Sequence, residues 1–129
     1  DRASEACVVR YVAAMDGFLL HRGAQAAWDM VNEANAFVER QAPWALAKSG
    51  DEAALDAALA ALARALLRIA VLASPFIPAA SLALLGALGV GAGPPAKGPS
   101  WGAVERPEIA GSQTRRIAPL FPKPERAAT

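Results

Sequence analysis

Reactive and metal-binding side chains are scarce in this 129-residue sequence. Cys7 is the only cysteine and His21 the only histidine, which excludes an intrachain disulfide and leaves too few ligands for a cysteine–histidine zinc site. No glycine-rich phosphate loop follows a strand, and no serine–histidine–aspartate arrangement is present. We therefore predict no catalytic residue, no metal site and no cofactor within this chain.

Aromatic residues and net charge are also low. Aromatics make up 6% of a chain that is 54% hydrophobic, so alanine and leucine, both strong helix formers, dominate its apolar content. A net charge of +1 gives no field strong enough to indicate nucleic acid by itself. The first five residues are polar and do not resemble a secretory signal, so a cytoplasmic protein is the default expectation.

The apolar periodicity predicts an all-α fold, an antiparallel bundle of about four helices with an extended C-terminal tail. The first helix is predicted over about 4–16 and the second over about 21–41. A third follows Ser49-Gly50-Asp51-Glu52, which has the Ser-x-x-Glu form of a capping box, and runs to about 73. A fourth, shorter helix is predicted over about 79–88, where Gly89 can close it.

Helical spacing also predicts which side chains face inward. In the second helix the stripe is Ala24, Ala27, Trp28, Val31, Asn35 and Val38. In the third helix it is Leu55, Ala58, Leu59, Leu62, Leu66, Ile69 and Leu72 or Ala73. Asn35 is the polar member, and two interpretations stay open: its amide satisfies carbonyls of the following corner, or it meets a ligand. Arg64 and Arg68 lie one turn apart on another face, as a solvated or salt-bridged pair or in a role left open.

Residues 69–96 carry no charge, which is long enough for a membrane span. Pro75 and Pro78 interrupt this stretch, so two core helices joined by a proline corner explain it better. Glycine and proline then predict a linker over about 89–100. We expect a helical bundle over 1–90, and over 91–129 a linker and an extended tail that begins at Trp101 and packs back on the bundle or on a partner domain.

The Pro43-Trp44 pair marks the end of the second helix. Proline disfavours helix for the residue before it, so Ala42 should leave the helix and Trp44 should sit at a fixed corner. A large aromatic there has two ordinary uses. It can fill the groove beneath the turn, or it can offer a face to a nucleic-acid base.

The order of motifs resembles that of the C-terminal anticodon-binding domain of bacterial methionyl-tRNA synthetases. The resemblance is carried by 34–48 (ANAFVERQAPWALAK), 67–78 (LRIAVLASPFIP) and 119–123 (PLFPK), with Trp101 and Gly111 between the last two. These stretches cover nearly the whole chain in the family's order. The family's Asn-x-x-Arg element, which reads base identity, has no match in this sequence.

The resemblance implies a function. Trp44 would pack against an anticodon base, Pro43 would hold the indole in place, and Asn35 is the further candidate for tRNA binding. Methionine attachment, which uses ATP with Mg²⁺ and methionine, would belong to a catalytic domain of the same polypeptide outside this sequence. The expected partners are the tRNA anticodon stem-loop and that catalytic domain, without a membrane. The alternative is a helical protein–protein interaction or scaffold bundle with Trp44 buried and no RNA role.

Overall fold

The computed structural model describes residues 2–90 and 100–125, and the regular structure within these ranges is entirely helical. The helices are α1 (Arg2–Asp16), α2 (Leu20–Gln41), α3 (Pro43–Ser49), α4 (Glu52–Ala73), α5 (Pro78–Ala87) and α6 (Gly102–Glu105). The predicted all-α class is confirmed, and α1, α2, α4 and α5 match the four predicted helices to within a few residues. Most of the predicted linker, residues 91–99, lies outside the described residues.

Helix α4 is the central element, because α2, α3, α5 and α6 all pack against it. The main buried cluster joins α1, α2, α4 and α6 and consists of Cys7, Tyr11, Ala26, Ala27, Met30, Ala34, Ile69, Val71, Leu72 and Val104. A second cluster, Leu67, Ala70, Leu85 and Leu88, joins α4 to α5. The C-terminal half of α4 therefore supplies both clusters, while its N-terminal half is more exposed and supports α3.

The inward face of α2 differs from the predicted stripe by one residue, or about 100° of rotation. Its buried residues are Gly23, Ala26, Ala27, Met30 and Ala34. Small side chains let α2 approach α1 closely, whereas the prediction gave most weight to the large Trp28. The predictions that Trp28 is a core residue and that Asn35 lies on the buried side are therefore wrong, since both are exposed. In α4, Leu59 is likewise exposed rather than inward.

The start of α4 corrects the predicted capping box. The N-cap is Asp51, whose carboxylate accepts a hydrogen bond from the Ala54 amide at 3.1 Å. Ser49 ends α3 instead, and its hydroxyl donates to the Leu46 carbonyl at 3.0 Å. The Asp51 carbonyl also accepts from the Leu55 amide at 3.0 Å, and Gly50 with φ 76° separates the two helices. Ser49 and Asp51 can both cap a helix start, and α4 begins after the second of them.

The tail was predicted to be extended from Trp101 onward, and at its start this prediction is wrong. The chain forms the short helix α6 there instead. Val104 in this helix is 1% exposed and belongs to the main core cluster. The Arg68 guanidinium donates from Nε to the Val104 carbonyl at 2.8 Å, and the Trp101 ring stacks on Tyr11 with centroids 6.2 Å apart. Further along, the Arg115 amide donates to the Ala87 carbonyl at 2.8 Å. Residues 100–125 thus contact the bundle at both core clusters.

The described part of the charge-free stretch, 69–90, is divided between the end of α4 and α5. Ser74, Pro75, Phe76 and Ile77 connect them, and Pro78 occupies the first turn of α5. No helix in the described ranges is both long enough and apolar enough to cross a membrane. The side chains of this stretch instead line the two buried clusters.

Candidate nucleic-acid interface

The corner between α2 and α3 is built around Ala42, which serves as the C-cap of one helix and the N-cap of the next. Its backbone is left-handed, with φ 42° and ψ 62°. The Ala42 amide donates to the Val38 carbonyl at 2.9 Å, and its own carbonyl accepts from Ala45 and Leu46. Pro43 takes the first helical position, where a missing N–H costs nothing. The prediction that Ala42 leaves the helix is confirmed.

Trp44 stands on the outside of this corner. Its side chain is 53% exposed, and none of the residues of α3 is buried. Of the two uses open to an aromatic at this corner, filling the groove beneath the turn does not fit such an exposed ring. The indole keeps an open surface beside it, which a flat partner can cover.

Two cations lie close to Trp44 in sequence. Lys48 follows it by four residues within α3, so the two side chains share one face of that helix. Arg40 precedes it by four residues and belongs to the last turn of α2. Both are exposed, and neither forms an ion pair within the described residues, where Arg10 and Asp29 form such a pair at 3.2 Å. Lys48 was not among the residues predicted for this site, although its spacing of four residues from Trp44 was a usable signal.

Asn35 lies on α2 about two turns before the corner and is exposed. Its amide makes no side-chain hydrogen bond among the residues that the structure describes, so it does not satisfy the corner's carbonyls. The corner is instead closed by the Ala42 backbone. The amide is accordingly available to solvent or to a ligand.

The described residues include no metal-ligating cluster and no accessible cysteine. Across the two described ranges, no group of three or more histidine, cysteine, aspartate or glutamate side chains is placed to hold a metal ion. The one cysteine is inside the core, where burial raises the pKa of the Cys7 thiol despite the opposing charge of Arg10. A neutral, enclosed thiol is a poor nucleophile. An exposed aromatic with a cation on the same helix face, by contrast, is a combination found in proteins that bind single-stranded nucleic acids.

A comparison with protein families matches most of the chain. The profile of the anticodon binding domain of methionyl tRNA ligase matches residues 3–100. The chain belongs to this family. Residues 34–48, which carry the corner, and 67–78 both fall inside the matched region of this anticodon-binding domain.

The similar curated proteins are named methionine–tRNA ligases. The protein of Mesorhizobium japonicum is 40% identical over 77 residues, which are 60% of this chain and 15% of that protein. The protein of Brucella suis is 34% identical over 110 residues, 85% of this chain and 21% of that protein. The protein of Streptococcus pyogenes serotype M1 is 36% identical over 70 residues, 54% of this chain and 10% of that protein. The anticodon-binding domain described here thus spans about a fifth or less of these relatives, and no solved structure matches it.

Proposed function

We propose that this chain recognises the anticodon stem-loop of tRNA as part of a cytoplasmic, ATP-dependent methionine–tRNA ligase. The observation that carries the proposal is the exposed Trp44 indole at a fixed corner, in a chain of the anticodon-binding family. The catalytic domain of the same polypeptide would bind ATP with Mg²⁺ and methionine.

The geometry suggests how the surface works. One anticodon base stacks on Trp44, which the Pro43 corner holds in place, and such stacking contributes about 1–3 kcal/mol per base. Lys48 and Arg40 neutralise nearby phosphates, while the Asn35 amide can donate to or accept from a base edge. Because the net charge of the chain is only +1, RNA binding by this piece alone should be weak and salt-sensitive.

The first test compares tryptophans of similar exposure. Trp28 on α2 is 43% exposed and Trp44 is 53% exposed, so Trp28→Ala is a matched control for Trp44→Ala. Binding to a hairpin RNA with the anticodon loop of methionine tRNA is measured by fluorescence anisotropy. Trp44→Ala should weaken binding at least about 5-fold through the lost stacking, and Trp28→Ala should change it less than about 2-fold.

The second test uses the complete ligase. Trp44→Ala should lower methionine transfer to tRNA far more than the activation of methionine by ATP, which does not need the anticodon. Equal loss in both assays would contradict the proposal. The alternative of a scaffold bundle without an RNA role required a buried Trp44, and the half-exposed ring argues against that arrangement.

A further inference from the structure

A second concave site lies beside α2, between the start of α1, the middle of α4 and the tail. Its cavity has a volume of about 380 Å³ and is lined by Ser4, Glu33, Phe37, Arg64, Arg68 and Pro107 together with small alanines. That volume is within the usual range for small-ligand pockets. Phe37 precedes Trp44 by seven residues, so the cavity lies within about two turns of α2 from the corner.

Several polar groups of this cavity keep donor or acceptor capacity that interactions within the described residues do not use. The Arg68 side chain is positioned by its Nε, which donates to the Val104 carbonyl. Its two terminal nitrogens remain available to donate hydrogen bonds to a ligand. Arg64, one turn earlier on α4, is exposed, and neither Arg64 nor Glu33 forms an ion pair within the described ranges. Ser4 is only 7% exposed and lines the cavity.

The mixture of groups points to a particular ligand. Two guanidinium groups and a hydroxyl suit a phosphate, but a carboxylate on the opposite wall would repel a simple anion. A nucleotide can interact with both kinds of group. Its phosphate can accept hydrogen bonds from the two arginines, while an exocyclic amino group of its base donates to Glu33. The Phe37 ring adds an apolar surface for the base.

We propose that this cavity binds one nucleotide of the RNA whose neighbouring base stacks on Trp44, with the phosphate at Arg64 and Arg68 and the base between Phe37 and Glu33. This inference rests on the proposed function. It adds a second contact point on the RNA, one turn of α2 or more away from the corner, and explains the unpaired charges of Arg64 and Glu33.

The test is RNA binding by single variants of the whole chain at several salt concentrations, with folding checked by circular dichroism. Arg64→Ala should weaken binding of the anticodon hairpin about 5-fold and reduce the salt slope by about 0.7, the loss of one phosphate contact on single-stranded RNA. The matched control is Arg22→Ala, which removes an exposed arginine from the far end of α2 and should leave the salt slope unchanged.

Glu33→Gln separates a nucleotide from a bare phosphate. It should weaken binding about 2- to 5-fold and alter the preference among bases, because a carboxamide oxygen is a poorer acceptor than a carboxylate. Stronger binding by Glu33→Gln would overturn the inference, since only a phosphate would then occupy the site. If Trp44→Ala weakens binding while Arg64→Ala and Arg22→Ala behave alike, the inference fails and the proposed function stands. If none of the variants alters RNA binding, both fail.

Discussion

The two ends of α2 turn through residues with a left-handed backbone that are not glycine, Phe18 with φ 58° before the helix and Ala42 with φ 42° after it. Each turn also places an aromatic side chain in solvent. At the first end it is Phe18 itself, 88% exposed, and at the second it is Trp44. Since α2 has 22 residues, it is about 33 Å long, and substitutions beyond its two ends are expected to have additive effects.

The surroundings of the two rings differ. Trp44 follows Pro43, which fixes the backbone at the first helical position, and has Lys48 on its own helix face. Phe18 is followed by Leu19 and Leu20, both exposed and apolar, and the start of α2 has no side-chain cap. Exposure alone therefore does not mark an RNA-binding aromatic. Nor does a nearby cation, since Arg22 follows Phe18 by four residues as Lys48 follows Trp44. The feature that distinguishes the Trp44 corner is the backbone fixed by Pro43.

The largest expected effect separates these two aromatics in one RNA-binding assay. Trp44→Ala should cost about 1–3 kcal/mol of binding free energy to the anticodon hairpin, because one base loses its stacking surface. Phe18→Ala removes a more exposed ring from the other end and should change affinity less than about 2-fold. Comparable losses for both variants would mean that the RNA covers the whole length of α2, and the distinction between its ends would fail.

The next effect concerns the connection that follows the Trp44 corner. Asp51→Ala removes the N-cap of α4 and should lower the free energy of unfolding by about 1 kcal/mol. Ser49→Ala removes only an exposed hydroxyl bond at the end of α3 and should cost less than about 0.5 kcal/mol. Urea denaturation followed by circular dichroism measures both. A larger loss for Ser49→Ala would restore the capping box that the sequence suggested.

A smaller effect is expected on the stability of the fold when the two non-glycine residues with positive φ, Phe18 and Ala42, are replaced by glycine. Phe18→Gly should stabilise the fold by about 0.5–1 kcal/mol, because glycine adopts positive φ freely and the exposed ring contributes little burial. Ala42→Gly should gain less stability, because it also removes the contacts of a half-buried methyl group. Thermal unfolding of both variants checks the order. A loss of stability in Phe18→Gly would show that the Phe18 ring packs against its neighbours.

The sequence predicted the class, the helix boundaries and the corner because each depends on local physics. Pro43 fixes its own φ and keeps Ala42 out of the right-handed helix, and Gly89 closes α5 with φ 72°. The left-handed backbone of Ala42, in contrast, is not the extended conformation that a following proline favours. The motif that carries Trp44 was likewise visible as consecutive residues. The position of that ring in solvent could not be derived from the sequence, where a buried indole was also consistent with the pattern.

The wrong predictions for Trp28 and for the start of the tail depend on tertiary packing, which local sequence patterns do not specify. Trp28 looked like a core residue because hydrophobicity favours large side chains, yet α2 buries alanines and Gly23 against α1. Val104 looked like part of an extended tail because four residues are too few for a periodic signal. The cavity at Arg64 and Arg68 joins α1, α2, α4 and the tail, so only the folded chain brings those residues together.

The smallest expected effect tests whether the corner positions Trp44. Pro43 and Pro78 both begin helices, and each should contribute only a few tenths of a kcal/mol to stability by restricting the unfolded chain. Pro43→Ala and Pro78→Ala should therefore have similar melting temperatures. Only Pro43→Ala should also weaken binding of the anticodon hairpin, by about 2-fold, because the indole then samples more orientations and pays more entropy on stacking. Equal RNA affinity in the two variants would mean that Ala42 and the α4 surface orient Trp44 without help from the proline.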